Sequence, residues 1–342
     1  MGNLCSGPGA DGQGHELTAD ALADTSADAP LNNSAFVFIK PHAVTEKVEK
    51  LVREQLTIAS IIVKQSGVIK AEQIDKDGLI DKHYGAIASR AMHQLPTDLV
   101  VQDEAKEQFK KIFQVEWQAA LDQNKVFNAK DAAEKLGMKP LDLSKKFDTL
   151  ERGKDQVKFG GGFYVGRIRT DKDEIYVVNG FYMGMRAKFT EPGKSIIFFE
   201  VCWDPDGLPW KKFRAEVIGA TNPKEADGGS IRRLILDRWE SLGLKAEPNT
   251  GDNSVHASAS PFEGLAERAN WLRTDVGNDA FGRALVAAGI NEDTIKEWSG
   301  DPAVEFEKKK QSLFDLLEDL DARPCVSKAV DILAESKALK TE

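Results

Sequence analysis

Five histidines (15, 42, 83, 93 and 256) and three cysteines (5, 202 and 325) are the side chains of this sequence best suited to act as nucleophiles or soft metal ligands. The cysteines are scattered, and the only histidine pair that draws notice, His42 with His83, is far apart in sequence. Neither pattern has the close ligand spacing of a zinc site or a disulfide framework, so no metal site is expected. His256 is the most informative of the group. It follows a polar loop, 245–253, in a short stretch of small residues, Asn253-Ser254-Val255-His256-Ala257-Ser258-Ala259-Ser260, which leaves room around an imidazole. An imidazole with an ordinary pKa near 6.5 is mostly neutral at pH 7, and its lone pair can attack an electrophile or accept a proton. A lone histidine in a strand can equally be a packing residue. Gly160-Gly161-Gly162 is neither a Walker loop, since no Gly-Lys-Ser/Thr follows, nor G-x-G-x-x-G; it reads as a backbone bend or bulge.

The elements that must position these residues are legible from periodicity. Ala35 to Ile39 is an apolar run stopped by Lys40-Pro41 and reads as a buried strand. Val44, Val48, Leu51, Val52 and Leu56 fall on one face of a helix. Residues 60–70 predict a second strand and 74–92 a helix. A helix near 104–121 opens a region of different texture, which ends in a β-hairpin over 159–178 with its turn at Thr170-Asp171-Lys172-Asp173. Further on, helices are expected at 181–189, 209–218, 230–242 and 261–271, and strands at 196–203 and 254–258. Several helices fill 273–342. With 93–178 set aside, the order matches an α+β, ferredoxin-like βαββαβ sandwich. Its central sheet would be antiparallel and four-stranded. A large α/β insertion and a helical C-terminal extension complete the expected architecture.

Several short motifs, in order, give His256 company. Asn253-x-x-His256-Ala257-Ser258 resembles the phosphohistidine signature of the nucleoside diphosphate kinase family, and Glu267 and Trp271 stand where that family has a glutamate and a tryptophan. Upstream, Gly219-x-Thr221-Asn222-Pro223, Gly229-Ser230-Ile231-Arg232, Ile39-Lys40-Pro41 and His83-Tyr84 match further family motifs in the family's order. The resemblance covers 34–92 and 179–272. It implies a nucleoside diphosphate kinase that takes the γ-phosphate of ATP or another NTP onto His256 and passes it to an NDP in ping-pong fashion. Glu267 would orient the ring. Lys40, Tyr84, Thr221, Arg232 and Asn253 would bind nucleotide, and Mg2+ would arrive with the nucleotide. Family members are homo-oligomers, so the same is an expectation here.

Departures from the family pattern are equally specific. His42 and Ala259 stand where the family has aspartates. The family's arginine before G-x-T-N-P falls on Ala215, with Arg214 one place early; one residue turns a helical side chain by about 100°, so Arg214 can substitute only if the helix is rewound. The loop between Arg232 and Asn253 is longer than the family's. The base-stacking aromatic would be at Met92 by count, or at Tyr182 if 93–178 is inserted before Phe181-Tyr182-Met183-Gly184. These departures keep a second reading open, a non-catalytic scaffold module with the same fold, and a weaker third, a nucleotide sensor.

The chain has 342 residues, is 41% hydrophobic and 30% charged, and carries a net charge of −9. That balance suits a globular protein with a sizeable core and argues against a broad nucleic-acid-binding face. No apolar run approaches the ~18 residues of a membrane span, and no secretory leader is expected. Met1-Gly2-Asn3-Leu4-Cys5-Ser6 fits the myristoylation pattern at Gly2, with Cys5 as a palmitoylation candidate. Residues 1–39 contain five acids and no Lys or Arg, so a basic patch cannot supply the second anchor that one acyl chain needs. The expected organisation is a disordered, acylated tail (1–33), a kinase-like core in two parts (34–92 and 179–272), an insertion (93–178) and a helical extension (273–342). The expected address is the cytoplasmic face of a membrane, plasma or flagellar, held by acyl chains, and otherwise the cytoplasm.

Overall fold

The computed structural model describes residues 31–170 and 173–338. Gly2, Cys5 and the rest of the N-terminal tail up to residue 30 lie outside the described residues. Among those described, no helix is long and apolar enough to cross a membrane.

The fold is mixed α/β, with sheets that are antiparallel except for one strand pair. Strands β1 (Asn33–Ile39), β2 (Ile62–Lys70), β7 (Ser195–Trp203) and β8 (Val255–Ala257) form the sheet that carries the site, in the order β2-β7-β1-β8, all pairs antiparallel. β1 is apolar from Ala35 to Ile39 because both of its faces are covered there. Ala35, Val37 and Ile39 pack with Val48, Val52 and Ile231 on one side. Phe36 and Phe38 pack with Ile80, Phe189 and Trp271 on the other. On the first side lies the helix Glu46–Ile58, which starts at a Thr45 cap whose hydroxyl accepts from the Val48 N–H.

The helix Pro261–Leu272 covers the second face. Its start is written locally: the Ser260 hydroxyl accepts from the Glu263 N–H, and Pro261 takes the first helical position, where no N–H is needed. Gly264 lets this helix press directly on β1, since a Cβ there would lie 2.7 Å from the Ser34 carbonyl oxygen. That close approach brings the next turn, with Glu267, over the sheet.

The region 93–178 differs from the expected helices plus one hairpin. It builds a second four-stranded sheet in the order β3-β6-β5-β4 from β3 (Val126–Asn128), β4 (Gln156–Gly160), β5 (Phe163–Arg169) and β6 (Glu174–Val178), with β3 and β6 parallel. The glycine run turns β4 into β5, with Gly162 at φ 58° and a register shift between Lys158 and Gly160. β3 is only three residues long, too short for a periodic signal, and exists because it pairs with β6. The continuous helix expected over 74–92 is broken into Ala71–Lys76, Leu79–His83 and Gly85–Met92, with Gly78 at positive φ in the first break.

The C-terminal region was expected to be helical only. It also contains a hairpin of β9 (Ala303–Phe306) and β10 (Lys309–Ser312), turned by Glu307 and Lys308 at φ 53° and 61°. Such a turn usually announces itself by Asn-Gly or Asp-Gly, and its absence hid the hairpin. The region's core, including Leu313, Leu317 and Ile332, is continuous with Phe262 and Leu265 of the helix Pro261–Leu272.

Candidate active site

His256 sits in β8 opposite Phe38 of β1. Register partners in a sheet share a face, and the two rings stack with centroids 4.7 Å apart. Val255 points the other way into the first core. The ring is then fixed by Glu267, whose Oε1 lies 2.6 Å from His256 Nε2. The other oxygen, Oε2, accepts from the Ser258 hydroxyl at 2.6 Å, and Ser258 is itself held by the backbone of Phe36. An ionised carboxylate accepts only, so it selects the tautomer with hydrogen on Nε2 and leaves the lone pair on Nδ1. Among the described residues Nδ1 has no hydrogen-bond partner, and the side chain is 18% exposed.

Burial, and then the charges of Lys40, Arg232 and Arg214, hold the His256 pKa well below its ordinary value. The ring is therefore neutral at pH 7. Glu267 is raised to about 7, chiefly by burial, against the opposing pull of His83 and the Ser258 hydrogen bond. Glu263, one turn earlier, is raised well above the usual carboxylate range by burial and by the nearby charge of Glu267.

Of the three cations whose charge acts on this ring, two are Arg232 and Lys40. Arg232 gives its guanidinium to carbonyls: Nε and Nη2 to Val255 at 3.2 and 2.9 Å, and Nη1 to Gly219 at 2.8 Å. Lys40, at the end of β1, is lowered to about 8 by burial and by Arg232; Asp252 opposes this, and Lys188 adds to it. Arg232 is lowered to about 10 by burial and by Arg214. Among the described residues neither Lys40 nor Arg232 has a carboxylate within salt-bridge distance; Asp252 is instead bonded to Lys188 at 2.7 and 2.9 Å. Unneutralised, part-buried cations beside a nucleophile suit an anionic substrate.

Asn253 joins the group through its side-chain amide, which donates to the Thr221 carbonyl at 3.1 Å, while its Oδ1 is buried without a partner. Thr221 itself is exposed on its loop. Tyr84 packs edge-on against His83, its hydroxyl raised to about 12 by burial and by Glu267 and Glu263. His42 lies 3.8 Å from Asp252 and, with its pKa lowered mainly by burial, does not act as a carboxylate substitute.

Two expected site residues are placed differently. Tyr182 has no exposed surface; it is packed in the second sheet's core, and its hydroxyl donates to Asp81. No face of its ring is open to a base. Arg214 is affected by a π-turn over Phe213–Ile218, in which the Gly219 N–H donates to the Arg214 carbonyl at 3.0 Å, a five-residue step. The helix is rewound by one residue where the sequence has one to spare. The guanidinium, however, is bound to the C-terminal region, with Nη1 2.6 Å from both Glu318 Oε1 and Asp319 Oδ1.

His83 was not expected in the site. Its Nδ1 lies 3.3 Å from Glu267 Oε1, and its ring is edge-on to His256 at 4.6 Å. Burial first, and then His256, push its pKa down to about 3, so it too is neutral. The signal available was its place beside Tyr84; nothing local ties it to residue 256. His83, His256 and Glu267 thus form a group whose ligand atoms lie within 4.8 Å, where no metal site had been expected. The donor types suit a transition metal. The field does not, because Lys40, Arg232 and Arg214 all disfavour positive charge on His256.

No family model matches the chain. Over 72 residues, 21% of its length, it is 36% identical to a nucleoside diphosphate kinase of Beijerinckia indica. The chain spans about two fifths of that relative, 41% of its length. Among solved structures it is similar to a nucleoside diphosphate kinase from Encephalitozoon cuniculi, with a TM-score of 0.34 and 14% identity over 71% of this chain and 90% of that one. It is likewise similar to an NDP kinase from Pyrobaculum aerophilum, with a TM-score of 0.33 and 14% identity over 70% and 96%.

Proposed function

We propose that the protein is a nucleoside diphosphate kinase-like phosphotransferase that works through a phosphohistidine on His256. The observation that carries this reading is the pairing of a neutral imidazole, held at Nε2 by Glu267, with the cations Lys40 and Arg232; among the described residues Nδ1 has no hydrogen-bond partner and neither cation has a carboxylate within salt-bridge distance. The local similarity to a nucleoside diphosphate kinase supports the same chemistry. In the forward half-reaction the Nδ1 lone pair attacks the γ-phosphorus of an NTP. An N–P bond forms, the bond to the bridging oxygen breaks, and the NDP leaves with that oxygen's electron pair. The ring becomes cationic, and the Nε2–H bond to the Glu267 carboxylate stabilises that charge. A second NDP then attacks the phosphorus and restores the neutral ring. Lys40 and Arg232 offset the charge spread over the phosphoryl oxygens.

Magnesium fits as an ion brought by the nucleotide. The acids around the site are engaged, Glu267 by His256 and Ser258, Asp252 by Lys188, and Glu318 and Asp319 by Arg214, and among the described residues no oxygen cage stands open. Bound to nucleotide phosphates it would neutralise charge on the transferred group. The ferredoxin-like reading of the β2-β7-β1-β8 sheet, the acylation of Gly2 and Cys5 and the membrane address belong to the same proposal. Ala259 and the engagement of Arg214 favour the scaffold reading instead. Labelling with γ-labelled ATP separates the two: an acid-labile phosphoprotein that vanishes in His256→Ala, with ATP/NDP exchange that is ping-pong, supports catalysis. Equal labelling of His256→Ala overturns it.

A further inference from the structure

We infer that Glu318 and Asp319 form a carboxylate clamp that competes with nucleotide phosphate for Arg214 and thereby sets the site's affinity for its substrate. This rests on the nucleotide-site reading above.

The clamp is built rather than incidental. Both carboxylates reach Arg214 Nη1 at 2.6 Å. The segment that carries them is tied down on each side. The Asp319 N–H donates at 3.0 Å to the carbonyl of Ala259, in the loop between β8 and the helix Pro261–Leu272. Asp319 adopts φ 60°, a left-handed conformation that a non-glycine residue enters only when its surroundings hold it there. Two residues on, Asp321 accepts from the Asn33 side chain and from the Trp210 N–H, both at 2.7 Å, which locks the segment to β1 and to the start of the Arg214 helix. Just before it, Leu313 and Leu317 are fully buried in the C-terminal core.

Arg214 is carried on the turn Phe213–Ile218, which packs against β8 and against the helix Ile231–Asp237 that bears Arg232, and Arg232 donates to the carbonyl of Gly219 at the end of that turn; its charge accordingly acts on both His256 and Arg232. Two carboxylates on one guanidinium leave a net negative charge there. A phosphate that uses Arg214 must replace at least one of them and is repelled by the other until it does. The exposures of the partners, 32% for Arg214 and 43% and 38% for the acids, keep each bond screened and exchangeable. If the acids only oriented Arg214 for substrate, their removal would weaken binding. Competition predicts the opposite sign.

The test is calorimetric binding of ADP and of inorganic pyrophosphate to the full chain, wild type against Glu318→Gln/Asp319→Asn. The amides keep the shape and the Asp319 N–H bond to Ala259. The clamp predicts about a tenfold lower Kd in the double variant and a smaller change of the same sign in Glu318→Gln alone, which leaves the anchored residue intact. Both gains should shrink as salt is raised. In an Arg214→Gln background the same pair of substitutions should change nothing. An unchanged or raised Kd overturns the clamp, as does tightening that persists without Arg214 or failure of either protein to bind. Phosphohistidine labelling of the wild type, run in parallel, judges the kinase reading on its own. Binding without labelling defeats the kinase and leaves the clamp to be decided by the Kd ratio.

Discussion

Glu267→Gln isolates the contribution of one negative charge to the nucleophile. Wild-type Glu267 is raised to about 7, so at pH 6 only about a tenth of it is ionised, one unit being a tenfold ratio. Ionised, it stabilises the positive charge that the ring gains as the N–P bond forms; protonated, it cannot. His256, held well below its ordinary pKa, stays neutral through this range and adds no inflection. Formation of phosphohistidine should therefore rise about tenfold from pH 6 to a plateau near pH 8. Glutamine can occupy the same place. Its Oε1 accepts from His256 Nε2, and its amide donates to the Ser258 oxygen, whose proton then goes to the Phe36 carbonyl 3.1 Å away. What is lost is the difference between a hydrogen bond to a charged group, about 1.5–3 kcal/mol, and a neutral one, about 0.5–1.5 kcal/mol. The variant should run about five- to tenfold below the wild-type plateau, without the inflection near pH 7, and the two curves should converge near pH 6. Single-turnover quench-flow with labelled ATP from pH 5.5 to 9 reads this directly. The terminal phosphate of ATP titrates alike in both proteins and cancels in the ratio. A ratio of wild-type to variant rate that does not rise between pH 6 and pH 8, or a wild-type rate that falls with rising pH, would refute the role assigned to Glu267.

Ser258→Ala removes a buried hydroxyl shared by Phe36 and Glu267, so it should cost about 1–3 kcal/mol in urea unfolding and move the pH midpoint of labelling upward. Asp279→Ala should cost about 3–5 kcal/mol by the same measure, because it strands the fully buried Arg268 guanidinium and also uncaps the helix Ala280–Ala287. Gly2→Ala should shift the protein from the membrane to the soluble fraction of cells that express N-myristoyltransferase; unchanged partitioning would end the acylation proposal.

Much of the site could be read from short-range pattern. The apolar run of β1, the Ser260 cap with Pro261, and the phase that brings Glu267 round to His256 are all encoded within about a dozen neighbouring residues each, where backbone preference and periodicity act. The short motifs that carry the family resemblance implied that Lys40, Arg232 and Asn253 belong to a nucleotide site. The tertiary structure decided what depends on remote partners. His83 reaches His256 only because the short helix that it ends, Leu79–His83, sets its ring against Phe38 and Trp271. Tyr182, a candidate for base stacking if 93–178 is inserted before it, is buried, because its ring packs in the second sheet's core and Asp81 takes its hydroxyl. Arg214 shows both levels at once. The extra residue that displaced it was visible in the sequence, whereas the π-turn that absorbs it and the acids that hold it come from packing of a segment about a hundred residues downstream. Local propensity has no access to such contacts, since their energy exists only after the whole chain has closed around them.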